Sequence, residues 1–212
     1  MTVRVIAGDC RDVLRTLEPE SVNCVVTSPP YYGLRDYGVD GQIGLEQTPE
    51  AYVAELVAVF AECRRVLRKD GVAWLNLGDS YAMSTKGAGG VGKQHTNAGT
   101  VMTDRSWRVP AGIKPKDLLG IPWMVAFALR ADGWYLRSEV IWHKPNPMPE
   151  SVRDRPTKAH ETVFLLSKSE RYWYDADAVS EEFAGVPYAG RNNGAIANGD
   201  RKDRGRTIGM TT

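Results

Sequence analysis

Val22-Asn23-Cys24-Val25-Val26-Thr27-Ser28-Pro29-Pro30-Tyr31-Tyr32 is the stretch that decides the fold. Val22 to Val26 is a nearly continuous apolar run, the pattern of a strand covered on both faces inside a parallel sheet. It runs straight into two consecutive prolines, which donate no backbone N–H and so end the ladder. A strand that stops on such a rigid turn puts the turn at its carboxyl end, where open α/β sheets bind their ligands.

Working outward, Val3 to Ala7 is a short β-type run ending in Gly8-Asp9, and Val13, Leu14 and Leu17 then recur at helical spacing. Strand, turn and helix are expected there. Downstream, Thr48-Pro49-Glu50 combines an N-cap, a proline at the first helical position and an acid in the first turn. Val53, Leu56, Val57, Phe60, Cys63 and Leu67 continue at helical spacing, with Arg64, Arg65, Arg68 and Lys69 before a terminating Gly71. Val72 to Leu77 reads as the next strand, closed by Gly78-Asp79. A glycine-rich, aperiodic stretch at about 84–114 is expected to be a mobile loop. Lys116 to Ala131 regains helical spacing, with Pro122 marking a break or restart. Strands are expected at Trp134 to His143 and Glu161 to Ser167, joined through the proline-stiffened Lys144-Pro145-Asn146-Pro147-Met148-Pro149. The fold class is therefore α/β, with a sheet parallel in its first part. Residues 1–176 form one structural portion, and the polar, basic 177–212 is a tail that belongs to a recognition region or to disorder.

With 212 residues, 27 Lys+Arg against 26 Asp+Glu and a net charge of +1, the composition fits a single domain and leaves the partner open. A mean hydropathy of -0.35 and the lack of any apolar run of the roughly 18 to 20 residues that span a bilayer argue against a membrane helix. Nothing resembling a signal peptide opens the sequence, so a cytoplasmic protein is expected. Cys10, Cys24 and Cys63 are read as reduced, mostly buried thiols with no C-x-x-C spacing for a metal. The string Gly87-Ala88-Gly89-Gly90-Val91-Gly92 satisfies G-x-G-x-x-G, yet no apolar strand precedes it and no amphipathic helix follows, so it is read as loop.

The chemistry concentrates at Ser28, Pro29, Pro30 and Tyr31. The prolines hold the Ser28 and Pro29 carbonyls rigid and available as acceptors, and the Tyr31 ring can stack on a planar group held there. In isolation such a string also reads as a stiff turn. Its context resembles the amino-methylating DNA methyltransferases of the β arrangement, in which the catalytic motif precedes the main cofactor motif. The resemblance rests on Gly8-Asp9, on Thr27-Ser28-Pro29-Pro30-Tyr31-Tyr32-Gly33-Leu34-Arg35-Asp36-Tyr37, on Leu75-Asn76-Leu77-Gly78-Asp79-Ser80-Tyr81, on Trp142-His143-Lys144-Pro145-Asn146 and on His160-Glu161.

That resemblance implies a Rossmann-like sheet, S-adenosylmethionine as cofactor and double-stranded DNA as partner. It makes Ser28, Pro29, Pro30 and Tyr31 the catalytic motif that holds and stacks on a flipped base, and Asp9 the residue near the cofactor's adenosyl part. Base extrusion costs a few kcal/mol, and positioning of the amine supplies the catalysis, without metal or covalent intermediate. Serine in the first motif position resembles the cytosine-N4 enzymes more than the adenine-N6 ones. No cysteine follows a proline, which disfavours C5 chemistry; Cys24 is read as an inert core thiol and Trp142 as core. Tyr32 and Arg35 beside the motif, Lys144, and the basic stretch with Arg153, Arg155 and Lys158 are assigned to DNA. For the charged residues a solvated face is the plain alternative.

The family's glycine loop for the methionine end of the cofactor is expected after these motifs, and Phe183-Ala184-Gly185-Val186-Pro187 does not match it. The sheet is thus expected to be incomplete on its cofactor side. The chain then reads as a fragment, as a half completed by a second chain, or as a short protein that binds DNA without methylating it. Methylation of a protein glutamine is disfavoured by Ser28 in place of Asn.

Overall fold

The computed structural model describes residues 2–82, 112–147, 150 and 152–180. The Gly87–Gly92 string, nearly all of the expected loop at 84–114, Phe183 to Pro187 and the tail beyond 180 lie outside the described residues. In order, the elements are α1 (Cys10–Arg15), β1 (Val22–Thr27), α2 (Pro49–Val66), β2 (Leu67–Leu77), α3 (Ile121–Ala131), β3 (Tyr135–His143) and β4 (His160–Ser167). One four-stranded sheet has the order β1-β2-β4-β3. β1 and β2 are parallel, with Thr27 opposite Leu75, whereas β4 runs antiparallel to both β2 and β3. The parallel start of the sheet agrees with the sequence.

The core lies on one face of this sheet. Leu56 and Phe60 of α2 and Ile121, Val125 and Leu129 of α3 pack on Ala73, Leu75 and Leu77 of β2 and on Phe164 and Leu166 of β4. The period of two along β2 and β4 explains which side chains reach the helices. Trp123 meets the Phe164 ring edge-on at 5.1 Å between centroids. α2 starts as the sequence predicts: Thr48 is its N-cap, its side chain accepting from the Ala51 N–H, and Pro49 opens the first turn. It ends at Val66 rather than before Gly71, because Leu67 to Asp70 already take β2 geometry. α3 begins at Ile121, five residues later than expected. Residues 116–119 instead bond to 80–82, through Ala82 N to Asp117 O, Lys116 N to Ala82 O and Leu119 N to Ser80 O. Asp79 Oδ1 accepts from the Ile121 N–H and so caps α3 from the end of β2.

Several expectations need correction. Val3 to Ala7 forms no strand, and Val3 and Val5 are 84% and 87% exposed. The stretch that follows, α1 and its end, is attached to α2: Arg65 donates to the carbonyls of Leu14 and Leu17, and Arg11 pairs with Glu55. β1 is an edge strand of the described sheet rather than an interior one, and Val26 is 77% exposed. Its apolar run packs one face only. Cys10 and Cys24 are exposed, and Cys63 alone of the three thiols is buried. Trp142 is not core either: it lies on the edge strand β3 with more than half its surface open. Among the described residues no helix is long and apolar enough to cross a membrane.

Packing on one face makes an asymmetric prediction. Phe164→Ala should lower unfolding stability by about 3 to 5 kcal/mol. Val26→Ala should change it by no more than about 0.5 kcal/mol, both measured by urea denaturation.

Candidate active site

The strand directions build the site. Because β1 and β2 are parallel, Ser28 and Gly78 follow them at the same edge of the sheet. Antiparallel β4 begins at that edge with His160-Glu161, and β3 ends there at His143, opposite His160. Four chain segments distant in sequence thus contribute to one rim.

Ser28, Pro29, Pro30 and Tyr31 line a cavity of about 240 Å³ together with Leu34, Arg35 and Tyr37. The turn is held from behind. The buried Tyr52 of α2 donates its hydroxyl proton to the Pro30 carbonyl at 2.9 Å, and Ser80 Oγ donates to the Tyr32 carbonyl at 2.9 Å. The Gly33 N–H donates to Gly44 O at 2.8 Å and folds the 33–44 loop back on the turn. Gly44 has φ of +101°, and a Cβ there would stand 3.1 Å from the Tyr31 carbonyl. Only glycine suits that approach. Ser28 itself is exposed, and among the described residues no donor reaches the Pro29 carbonyl.

Tyr31 is fixed at both ends. A Cβ on Gly78 would lie 2.4 Å from its ring, so the glycine backbone makes room for it. The Tyr31 hydroxyl, 3.4 Å from Ser28 Oγ, bonds Glu161 Oε2 at 3.0 Å. Asn76 Nδ2 donates to the same oxygen at 2.9 Å, and the Lys144 ammonium pairs with Oε1. Desolvation raises the Glu161 pKa, but the hydrogen bonds from Lys144, Asn76 and Tyr31 outweigh it and hold the carboxyl below its usual range. Burial pushes the Tyr31 phenol up. Asn76 Oδ1 is buried with no donor among the described residues.

The other sequence-predicted residues divide. Tyr32, assigned to DNA, is 1% exposed with its ring 5.5 Å from that of Tyr52, so it is a core residue and cannot reach a duplex. The turn that begins at Tyr32 carries its ring inward against Tyr52, while Tyr31 stays at the rim. Lys144 is at the rim, but its ammonium is paired with Glu161 rather than left to a phosphate. Arg35 is exposed at the cavity, and Arg153 is exposed. Lys158 is half-buried. Arg155 lies 4.0 Å over the Tyr81 ring and pairs with Glu150 at 2.6 Å. Gly78, Asn76 and Glu161 lie within the strings that carry the resemblance, but no local pattern gives them roles; Tyr52 carries no signal beyond its helical spacing.

Asp9 caps α1. Its Oδ1 accepts from the Arg11 backbone N–H and from Arg11 Nε, and its Oδ2 from Arg11 Nη2 at 2.6 Å. The Arg11 side chain, and then its backbone N–H, lower the carboxyl pKa from 3.8 to about 2. A depressed carboxyl pKa stabilises the fold above the ordinary aspartate range, a contribution lost as pH falls through about 2. The Asp9 carboxyl carbon should therefore titrate near pH 2 by NMR, and Arg11→Met should return it to the ordinary range.

Comparison with known proteins agrees with this geometry. The DNA methylase family matches residues 22–198. The type II methyltransferase M.Cfr9I of Citrobacter freundii is 54% identical over 176 residues, covering 82% of this chain and 57% of the relative. M.SmaI of Serratia marcescens, also a type II methyltransferase, is 52% identical over 178 residues, or 84% of this chain and 60% of its own. The chain thus spans under two thirds of the length of these relatives. Among solved structures, the cytosine-N4-specific PvuII DNA methyltransferase superposes with a TM-score of 0.55 at 20% identity, over 81% of this chain and 51% of its own. A candidate DNA modification methylase from Thermus thermophilus, solved with S-adenosyl-L-methionine, gives 0.51 at 23% identity, over 81% and 55%. These two likenesses show the fold, a Rossmann-like α/β sheet. The match over residues 22–198, most of the sequence, and the relatives at over half identity together show that the chain belongs to the DNA methylase family.

Proposed function

We propose that this chain carries the target-base site of a DNA methyltransferase that methylates the exocyclic amine of a flipped base, cytosine N4 in preference to adenine N6. The observation that carries the reading is the acceptor set at the rim. Ser28 Oγ is exposed at the cavity, and the Pro29 carbonyl beside it has no donor among the described residues. Unfilled acceptors beside a fixed aromatic ring suit a planar ligand bearing N–H groups. The serine-first motif and the named cytosine-N4-specific relative in fold favour cytosine.

Ser28 Oγ and the Pro29 carbonyl would accept hydrogen bonds from the two amine N–H groups, drawing the nitrogen lone pair out of conjugation with the ring and aiming it. Tyr31 would stack on the base, and the wall of Leu34, Arg35 and Tyr37 would limit water around it. Methylation leaves the amine nitrogen one proton in excess; that proton passes to water as the positively charged product nitrogen regains its ordinary acidity, with Ser28 Oγ and the Pro29 carbonyl orienting the N–H groups. S-adenosylmethionine, when bound, supplies an electrophilic methyl group. Asp9 fits a role toward its adenosyl part: a carboxylate has about four acceptor directions, and Arg11 fills two on Oδ1 and one on Oδ2, leaving one for a hydroxyl or amine. Double-stranded DNA is the substrate in this reading, with Arg35, Arg153 and Lys158 as phosphate contacts; Arg155 and Lys144 act through their internal partners. A second reading is a module that binds DNA through its exposed basic residues without transferring a methyl group by itself.

The chain, incubated with methyl-labelled S-adenosylmethionine and duplex DNA of mixed sequence, should yield labelled N4-methylcytosine after digestion to nucleosides. Ser28→Ala should cut the rate on the order of a hundredfold. Label in N6-methyladenine would overturn the base assignment. DNA binding with no label would overturn activity of the chain alone and favour the second reading.

A further inference from the structure

Tyr31 sits on a turn, yet it is held like a residue on a strand. Its partner Glu161 is the second residue of β4, paired in register with Trp142 of β3, so the backbone of two strands fixes where the carboxylate lies. Both Glu161 oxygens are used, Oε1 by Lys144 and Oε2 by Tyr31 and Asn76. Its side chain is 21% exposed, so the interaction is partly sheltered from solvent. The donors come from the residue after β3, the turn after β1 and the carboxyl end of β2, so one carboxylate ties three strand ends together at one ring. Lys144 balances the Glu161 charge, which keeps an uncompensated anion away from a rim that must accept a polyanion.

We infer that Glu161 is a positioning residue for the target-base site: by accepting the Tyr31 hydroxyl proton, it holds the ring over Gly78 in the place where a base stacks. This rests on the reading of Tyr31 as the stacking ring. A ring ordered before the base arrives loses no rotamer freedom on binding, and a site held within a fraction of an ångström keeps its reacting groups aligned. The hydroxyl network also ends at Ser28, because Ser28 Oγ is 3.4 Å from the Tyr31 hydroxyl. Glu161 therefore influences both the stacking face and the amine-binding hydroxyl without touching the base. It also gives Lys144 a role as the counterion of Glu161, in place of a phosphate contact.

The test uses the full chain and three variants, Y31F, E161Q and the double variant. In ¹³C-tyrosine-labelled protein without DNA, the Tyr31 Cζ resonance is identified by its loss in Y31F. It should sit away from the free-tyrosine position in the wild type and move toward that position in E161Q, with the remaining tyrosine resonances unmoved. For methyl transfer, E161Q should lower kcat/KM about tenfold, with kcat carrying most of the fall. The double variant should be no worse than the poorer single one, since both remove the same contact. An unmoved Tyr31 resonance, or multiplying effects in the double variant, would overturn the inference. If the wild-type chain transfers no methyl group, the functional reading fails while the resonance still decides whether Glu161 holds Tyr31.

Discussion

Parallel pairing of Val22–Thr27 with Leu67–Leu77 is the constraint on which the rest of the structure depends. It sends the ends of both strands to one edge of the sheet, so the turn at Ser28 and the backbone at Gly78 become neighbours. A β4 antiparallel to β2 then starts at that edge, and Glu161 arrives on a strand rather than on a loop. Had β1 and β2 been antiparallel, Ser28 and Gly78 would lie at opposite ends of the sheet and Tyr31 could not cross over the glycine. The functional rim is a consequence of strand direction first and of side-chain chemistry second.

Given that rim, the two prolines explain why little else is needed. They remove two donors and two soft torsions from the turn, and Tyr52 and Ser80 fasten the carbonyls that follow. What stays open is the hydroxyl of Ser28 and the carbonyl of Pro29. In the proposed function, fixed acceptors and one fixed ring would hold the base in a set orientation, which is how preorganised dipoles contribute to group transfer. The DNA methylase family match over residues 22–198 includes both this turn and Glu161.

Elements whose causes are local are legible in the sequence. The Thr48 cap and Pro49 fix the start of α2, and the apolar run into Ser28-Pro29-Pro30-Tyr31 fixes β1 and its turn. What fails depends on distant partners. Val3 to Ala7 has strand composition, yet no strand is beside it among the described residues. Val22 to Val26 reads as interior because apolar runs do not reveal that a strand sits at an edge. Tyr32 reads as a DNA contact alongside Tyr31, yet its ring packs on Tyr52 of α2, a partner 20 residues away that no local pattern announces. The bond between Tyr31 and Glu161 spans 130 residues, and no local spacing encodes it.

The central claim is that a base comes to rest against Tyr31. Photocrosslinking tests it most directly: duplex DNA of mixed sequence, with 5-iodocytosine replacing cytosine, is irradiated with the full chain, and the attached peptide is mapped by mass spectrometry. The account predicts a crosslink on Tyr31, abolished when that residue is changed to alanine. Crosslinks confined to residues outside the cavity, with Tyr31 unmodified, would contradict it.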